Sequence, residues 1–290
     1  MREDWDEQYK APIRRWASVA DLRVRGRERH IVEPGQGESY PLDCLVVPKD
    51  SPTLVVALHG ALNREVYTLP RFEWATTLGH RTESLLFLAD TALQASDDLK
   101  LAWYTGNESD DLTSRYAALI RSTAVQCGAF NVLLLGFSGG GFAALALAAQ
   151  LENSVALAFS PQVSIGKYYQ VFADQYVASV FPQYDSFEAL VEAHGRRVSV
   201  LERYKDPAVT ARFVYVQNSG DRHHVENHFK PFHELVHGRP GATFILTHES
   251  DSHTVPSRKS VGEMLDQCVA SFSHASGGEA RPASVGKGGR

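Results

Sequence analysis

A serine set between glycines gives the clearest chemical signal in this sequence. Residues 136–140 read GFSGG, so Ser138 stands in the G-x-S-x-G pattern of a nucleophilic serine. An apolar run, Asn131 to Leu135, precedes the pattern, and alanines and leucines at spacings typical of a buried helix follow it. A strand, a sharp turn and a helix in this order expose the serine hydroxyl at the edge of a sheet. We therefore predict that Ser138 is a nucleophile.

Two later loops supply the partners that such a serine needs. A serine hydroxyl reacts poorly at neutral pH unless a base takes its proton and a carboxylate orients that base. Asp221 follows the apolar run Phe213 to Val216, and His253 follows the run Phe244 to Leu246. Both residues come just after a predicted strand, in the chain order serine, acid, histidine. We predict Asp221 as the orienting acid and His253 as the base.

Neighbouring residues on the same two loops compete for these roles. The competing candidates for the base are three histidines: His223, His224 and His248. The competing candidates for the acid are two carboxylates: Glu249 and Asp251. His248 falls where its strand should end, which leaves it less loop to reach Ser138. Glu249 and Asp251 share the loop of His253, so they would reach its ring only through a tighter local geometry.

Short apolar runs predict the strands that position these residues. They are Thr53 to His59, Leu85 to Ala89, Asn131 to Leu135, Val155 to Phe159, Phe213 to Val216 and Phe244 to Leu246. Runs that are apolar on both faces are typical of buried parallel strands. Val225 to His237 and Val255 to Phe272 have helical patterns. The alternation predicts an α/β fold with a mainly parallel sheet and helices on both faces.

The remaining segments suggest one domain over residues 1–274. Alternating segments within residues 21–47, broken by Pro34 and Gly35, indicate an antiparallel edge to the sheet. Residues 161–206 are rich in aromatic side chains and lie between two predicted core strands, so we expect a helical cap over the site. Residues 275–290 hold almost no apolar side chain, which predicts a disordered tail.

On these motifs the chain resembles the α/β-hydrolase superfamily from about Leu42 to Phe272. The resemblance implies that superfamily's fold, with Ser138, Asp221 and His253 as its catalytic triad. It also implies that the backbone N–H groups of Gly139 and of Ala61, in the sequence HGAL, hold the oxyanion of a tetrahedral intermediate.

Three aromatic side chains near these loops have two interpretations each. Trp103 and Tyr104 follow a strand-end loop, where substrate pockets gather in open α/β sheets, so we predict substrate contact with core packing as the alternative. His59 either shapes the loop that holds Ala61 or packs near the core without a role.

Composition limits the partners. The formal net charge is -5, and the chain has no long run of lysine and arginine, which argues against binding to nucleic acid or to an anionic membrane. The first ten residues lack a secretory signal, and no apolar run approaches a membrane span. The 3 cysteines form no CxxC pair, so we expect neither a disulfide framework nor a metal site. We therefore expect a cytoplasmic protein that needs no cofactor.

The sequence favours a serine hydrolase that acts on an ester, thioester or amide through an acyl-enzyme on Ser138. One alternative is an O-acyltransferase with the same triad, because the HGAL and WYTG segments resemble α/β-hydrolase-like proteins of surface-polysaccharide and accessory-secretion pathways. Another is a non-catalytic binding or scaffold protein on the same fold. The expected partner is a small-molecule or acylated substrate, and the sequence leaves acyl length and oligomeric state open.

Overall fold

The computed structural model describes residues 4–275, in which ten strands form one sheet. The strands are β1 (Trp5–Asp6), β2 (Ala11–Trp16), β3 (Glu28–Val32), β4 (Leu42–Val47), β5 (Thr53–Leu58), β6 (Ser84–Leu88), β7 (Asn131–Phe137), β8 (Ser154–Phe159), β9 (Arg212–Asn218) and β10 (Ala242–Thr247). Their order across the sheet is β1-β2-β3-β4-β6-β5-β7-β8-β9-β10.

The centre of the sheet is parallel. Strand β5 pairs in parallel with β6 and with β7, and the parallel ladder continues through β8 and β9 to β10. Every residue of β5, β6 and β8 is buried, as expected of strands covered on both faces. The predicted α/β fold with a mainly parallel sheet is therefore confirmed.

The other edge of the sheet is mixed. Strands β3 and β4 are antiparallel, as is the pair β4 and β6. Two strands that the sequence did not indicate extend this edge, with β2 parallel to β3 and β1 antiparallel to β2. Arg29 on β3 ties them together, because its guanidinium donates to Asp43 at 2.9 and 2.6 Å and to Asp6 on β1 at 2.8 Å.

Helices cover both faces of the sheet. They are α1 (Ala75–Leu78), α2 (Leu112–Gln126), α3 (Gly139–Ala148), α4 (Gln170–Val180), α5 (Phe187–Val198), α6 (Val200–Tyr204), α7 (Arg222–His224), α8 (Lys230–Val236) and α9 (Arg258–Ala275). A π-helical turn, Val225–Phe229, joins α7 to α8. One apolar cluster includes Leu119 of α2 and Phe142 of α3, and a second includes Val261 and Leu265 of α9. Within residues 4–275, no helix combines the length and apolar character needed to span a bilayer.

The segment between β8 and β9 is largely helical and contains α4, α5 and α6. Its first residues after β8 pack against the end of β7, as described below. The predicted tail, residues 275–290, lies outside the described residues except for Ala275, the last residue of α9.

Candidate active site

Ser138 lies in a strained turn between β7 and α3. Its φ of 59° and ψ of -119° belong to a region that residues with a side chain rarely adopt. The Ser138 N–H donates to Phe159 O on β8 at 2.9 Å, which holds the turn against the sheet. A Cβ on Gly136 would lie 2.1 Å from the backbone of Gly140, so the strand and the helix approach this closely because Gly136 has no side chain.

Asp221 and His253 meet beyond the ends of β9 and β10. Asp221 is the N-cap of α7, where its Oδ1 accepts the backbone N–H of His224 at 3.3 Å. Its Oδ2 accepts from His253 Nδ1 at 2.5 Å. The structure thus brings together the two residues that the sequence predicted as acid and base.

The side chain of Asn218, the last residue of β9, holds the loop that carries His253. Its Nδ2 donates to Ser250 O and to Ser252 O, each at 2.8 Å. Its Oδ1 accepts the backbone N–H of Glu249 at 3.0 Å. These bonds hold the backbone of the loop at residues 249, 250 and 252, so the next residue, His253, has a defined position.

Asp221 is held as a carboxylate. Burial opposes its ionisation, but the contacts with His224 and His253 outweigh burial and hold its pKa well below the ordinary value. An ionised Asp221 keeps the proton of His253 on Nδ1, which leaves Nε2 as a proton acceptor. His253 Nε2 is buried and has no hydrogen-bond partner among the described residues.

The His253 ring is held between two other rings. Phe137, the residue before Ser138, stacks on one face with ring centroids 4.6 Å apart and an interplanar angle of 22°. His224 stacks on another side at 4.0 Å and 6°. The imidazole therefore has little freedom to turn, and it is packed directly against the strand that ends at Ser138.

Gln162 binds the serine hydroxyl, a contact that the sequence analysis did not foresee. Its Nε2 donates to Ser138 Oγ at 2.8 Å and lies 2.9 Å from His224 Nε2. Its Oε1 accepts from Trp103 Nε1 at 3.2 Å, which fixes the orientation of the amide. A direct hydrogen bond between Ser138 and His253 is not formed. The available signal was position: Gln162 comes just after β8, whose strand end lies beside that of β7.

His224, a competing candidate for the base, belongs to the same network. Its Nδ1 lies 2.9 Å from Asp221 Oδ2, although without the alignment of a hydrogen bond. Its Nε2 faces Gln162 rather than Ser138. Burial lowers the pKa of His224 to about 4, so the ring is neutral at pH 7.

The four remaining candidates for base and acid face elsewhere. His223 stacks on Tyr169 at 4.2 Å. His248 and Asp251 lie 3.8 Å apart with side chains 66% and 96% exposed, so they form a surface pair. Glu249 Oε2 accepts the backbone N–H of Ser257 at 3.3 Å. Within residues 4–275, none of these four side chains hydrogen-bonds to Ser138 or to His253.

The loop after β5 packs on the serine turn. A Cβ on Gly60 would lie 3.0 Å from Phe137 O and 3.5 Å from Ser138 Cβ, so this loop approaches the turn at Ser138 closely because Gly60 has no side chain. Ala61 is exposed, and its N–H donates to no acceptor among residues 4–275. Gly139 is the first residue of α3, where a backbone N–H has no partner within the helix. The two predicted oxyanion donors thus lie on the two segments in contact here.

His59 is buried, and both of its ring nitrogens contact the backbone here, which favours the loop-shaping interpretation. Its Nδ1 lies 2.9 Å from Gly60 O, and its Nε2 accepts the backbone N–H of Asp90 at 2.9 Å. Burial lowers the pKa of His59 to about 4, so the ring bridges the ends of β5 and β6 as a neutral imidazole.

Trp103 and Tyr104 lie in the core, not at an open pocket wall as predicted. Both side chains are 0% exposed. The Tyr104 hydroxyl accepts from His59 N at 2.9 Å and donates to Leu88 O at 3.1 Å. Trp103 packs edge-on against Tyr176 at 5.3 Å and donates to Gln162. The prediction failed because a strand-end loop can direct its aromatic side chains into the core, where they pack beneath the site.

Asp221, His224 and His253 have donor atoms within 4.8 Å of one another, so their metal-binding capacity can be judged from the distances. The 2.5 Å between Asp221 Oδ2 and His253 Nδ1 is a hydrogen-bond distance. Two ligands of one tetrahedral zinc ion would lie roughly 3.3 Å apart, given zinc bonds of about 2 Å. The group therefore fits a proton-sharing network better than a metal site.

Comparisons with known proteins give structural matches only. No protein-family model matches the chain, and no curated protein matches its sequence. A variant of the capsule O-acetyltransferase of Neisseria meningitidis serogroup A, solved in complex with CoA, has a TM-score of 0.59 at 15% identity. That match covers 80% of this chain and 94% of the other.

Two further solved structures have similar scores. MPT51 (FbpC1) of Mycobacterium tuberculosis matches with a TM-score of 0.58 at 14% identity, covering 86% of this chain and 100% of the other. An S-formylglutathione hydrolase from Agrobacterium tumefaciens matches with a TM-score of 0.52 at 13% identity, covering 87% and 97%. At these identities the likeness is one of fold.

Proposed function

We propose that this chain, which has the α/β-hydrolase fold, is a serine hydrolase that cleaves an ester, thioester or amide through an acyl-enzyme on Ser138. The observation that carries the proposal is the hydrogen bond between Asp221 Oδ2 and His253 Nδ1 at 2.5 Å, with Nε2 of the same ring buried and unpartnered among residues 4–275. An imidazole oriented by a carboxylate, and packed on the residue before a strained serine, is the arrangement that a general base requires.

In the proposed reaction, Ser138 Oγ attacks the substrate carbonyl carbon while its proton passes to His253 Nε2. The N–H groups of Gly139 and Ala61 donate to the oxyanion that forms. Collapse of the intermediate breaks the bond to the leaving group, which takes the proton from His253. Water, deprotonated by the same ring, then releases the acid and restores Ser138.

The hydrogen bond from Gln162 is compatible with this first step. Gln162 donates to Ser138 Oγ, so the proton of the serine hydroxyl remains available for His253. Catalytic hydrogen bonds are often long without substrate and shorten in the complex. The proposed first step requires the Ser138 hydroxyl to turn toward His253 Nε2, and the Gln162 amide can donate to Oγ while it does so.

A serine-reactive fluorophosphonate probe tests the proposal. We expect the protein to be labelled and to hydrolyse short p-nitrophenyl esters, and the Ser138→Ala variant to lose both properties while keeping its thermal unfolding curve. Ser109→Ala is a matched control, because Ser109 is exposed and its side chain contacts Asn107 and Ser39 rather than Ser138. Full activity in Ser138→Ala would overturn the mechanism, and absence of labelling in the unaltered protein would favour a scaffold role.

An O-acyltransferase is the second candidate, favoured by the similarity to the capsule O-acetyltransferase and its complex with CoA. The acyl-enzyme would be the same, but a sugar or metabolite hydroxyl would replace water in the second half of the reaction. Incubation with acetyl-CoA, with and without a mixture of sugar acceptors, separates the two. Free acetate as the sole product indicates hydrolysis, whereas an acetylated sugar formed only with active Ser138 indicates transfer.

A further inference from the structure

A cavity of about 650 Å³ opens beside the proposed catalytic site. Three of the segments that form that site contribute lining residues. Phe137 precedes Ser138, and Val255 follows His253 by two residues. Glu73 accepts the backbone N–H of Gly60, the residue before Ala61, at 3.4 Å. A group bound in this cavity would therefore lie next to an ester that reacts at Ser138.

The cavity is rich in positive charge. Four cationic side chains line it: Lys10, Arg27, Arg71 and Arg258. Glu73 is the single acidic residue in the lining. The chain as a whole carries a formal net charge of -5, so this concentration of cations is local. A concave site lined with one sign of charge raises the local concentration of ligands of the opposite sign.

Among residues 4–275, only Lys10 of the four cations forms an ion pair with an acidic residue, and Arg27 is bound to a backbone carbonyl. Lys10 pairs with Glu7 at 2.9 Å, and Arg27 donates to Tyr9 O at 2.8 Å. Arg71 lies 4.2 Å from the centroid of the Tyr67 ring, and its Nε is buried without a hydrogen-bond partner. Arg258 is exposed and makes no ion pair within the same range. The two guanidinium groups therefore retain donors for a ligand.

Glu73 does not cancel this charge. Its carboxylate points to Gly60 N–H rather than forming an ion pair with Arg71. Burial raises the pKa of Glu73, although the hydrogen bond from Gly60 and the charge of Arg71 act to lower it. Glu73 is therefore protonated more readily than an exposed glutamate.

We propose that this cavity binds an anionic group, a phosphate or a carboxylate, carried by the substrate that reacts at Ser138. Arg71 and Arg258 are the residues that recognise it, because a guanidinium offers paired donors to either anion. The inference rests on the proposed function for its link to chemistry, but anion binding itself does not require turnover.

Matched substrates test the recognition and its source. The phosphate arm compares S-acetyl-4′-phosphopantetheine with S-acetylpantetheine, which differs only in lacking the phosphate. The carboxylate arm compares mono-p-nitrophenyl glutarate with neutral p-nitrophenyl pentanoate. We expect kcat/KM to favour the charged member of at least one pair by on the order of tenfold, as a charge-assisted hydrogen bond provides. Equal values within both pairs would overturn the proposal, and the arm that responds identifies the anion.

Two variants assign the effect to the cavity. In Arg71→Gln and in Arg258→Gln, the ratio of charged to neutral kcat/KM should fall toward one. Lys259→Gln is the matched control, because Lys259 adjoins Arg258 but lies 3.9 Å from Glu263 and outside the cavity lining. Arg258 is exposed, so its replacement tests the idea even if the Arg71 variant fails to fold. An unchanged ratio in Arg258→Gln would contradict the assignment.

A binding measurement separates this proposal from the catalytic one. Calorimetry with Ser138→Ala should show binding of CoA or of glutarate that is weakened about tenfold or more by adding Arg258→Gln, while pantetheine binds weakly in both. This result would stand even if no ester were hydrolysed, in which case only the proposed function fails. Failure of both CoA and glutarate to bind better than pantetheine would overturn the cavity proposal alone.

Discussion

In this site, Nδ1 of His224 and Nδ1 of His253 both lie close to Oδ2 of Asp221. The Nε2 atoms of the two rings have different surroundings. An amide NH₂ donates, so the contact of Gln162 Nε2 with His224 Nε2 leaves the proton of His224 on Nδ1. His253 has the same tautomer, with Nδ1 directed to Asp221. The difference lies in Nε2, which faces the glutamine in His224 and is unpartnered within residues 4–275 in His253. His253 is therefore the ring that is free to accept a proton.

The first prediction concerns the acid. Asp221→Asn should lower kcat by up to about four orders of magnitude with little change in fold, because the amide no longer fixes the tautomer or stabilises the imidazolium. Asp251→Asn should have almost no effect, since its side chain is 96% exposed. Steady-state kinetics on a p-nitrophenyl ester measures both. Loss of activity in the Asp251 variant with a normal Asp221 variant would move the acid to the His253 loop.

The second prediction separates the two histidines. His253→Phe should remove turnover almost entirely, because it deletes the base. His224→Phe keeps a ring stacked on His253 but loses the contacts to Asp221 and Gln162, so we expect a decrease of roughly tenfold, a positioning effect. Probe labelling and kcat are the measurements. If His224→Phe is inactive and His253→Phe is not, the base must be reassigned.

The spacing of residues in the sequence indicated Ser138, Asp221 and His253, because each follows a strong apolar run. It did not indicate Gln162 or the role of His224. Gln162 is one polar residue in a long insertion, and its contact with Ser138 depends on which strands are neighbours in space. Trp103 and Tyr104 were misjudged for a related reason, since burial of a loop side chain depends on the helices above it.

At the scale of elements, the turn from β7 to α3 is tightly packed. Gly136 lies on the strand and meets the backbone of Gly140 at the start of the helix. Gly262, in α9, offers a contrast, because a Cβ there would have no neighbouring atom within 4 Å among the described residues. The two glycines differ in their surroundings, which makes them an informative pair.

The third prediction uses this pair. Gly136→Ala should lower the free energy of unfolding by about 3 kcal/mol or more, because the added methyl group must push the helix away from the strand. Gly262→Ala should leave stability unchanged or raise it by up to about 1 kcal/mol, since alanine favours the helix. Urea unfolding followed by circular dichroism measures both. Equal stabilities would show that the turn relaxes at little cost.

The sequence predicted those strands whose own residues form an apolar run. The strands β5 to β10 contain apolar runs, so the sequence alone predicts them. Strands β1 and β2 lie in a segment with charged residues and Pro12, and they are held partly by the ion pair of Asp6 with Arg29. Their pairing depends on contacts between distant residues, which periodicity does not reveal.

At the scale of the whole molecule, several histidines are buried in neutral form. Burial lowers the pKa of His30, His59 and His224 to about 4 each, and that of His228 well below its usual range. The unfolded chain would bind protons on these rings at the ordinary histidine pKa of about 6.5. Asp90 acts in the opposite direction, because burial raises its pKa to about 7. Burial also raises the pKa of Asp43 and of Glu73. Among residues 4–275, these four rings still outnumber the three carboxyl groups whose pKa is raised.

The fourth prediction follows from the sign of these shifts. Between about pH 6.5 and about pH 4 the unfolded chain binds more protons on the histidines than the folded one, so stability should fall as the pH is lowered through this window. His30→Gln should reduce the loss by at most about 3 kcal/mol, and exposed His80→Gln should not. Urea unfolding at about pH 7 and about pH 4.5 gives the values. An equal loss of stability in the unaltered protein, in His30→Gln and in His80→Gln would contradict a role for His30.

The strand order has a consequence for the growing polypeptide. Apart from the exchange of β5 and β6, the strands lie across the sheet in the order in which a ribosome makes them. A nascent chain that has emerged through β8 can already form the turn at Ser138. Asp221 and His253 follow β9 and β10 at the far edge, so the hydroxyl has no acid–base partners until those two strands dock. Under the proposed mechanism, half-made chains would carry Ser138 in an inert form, and its reactivity toward acyl groups would begin only when β9 and β10 are in place.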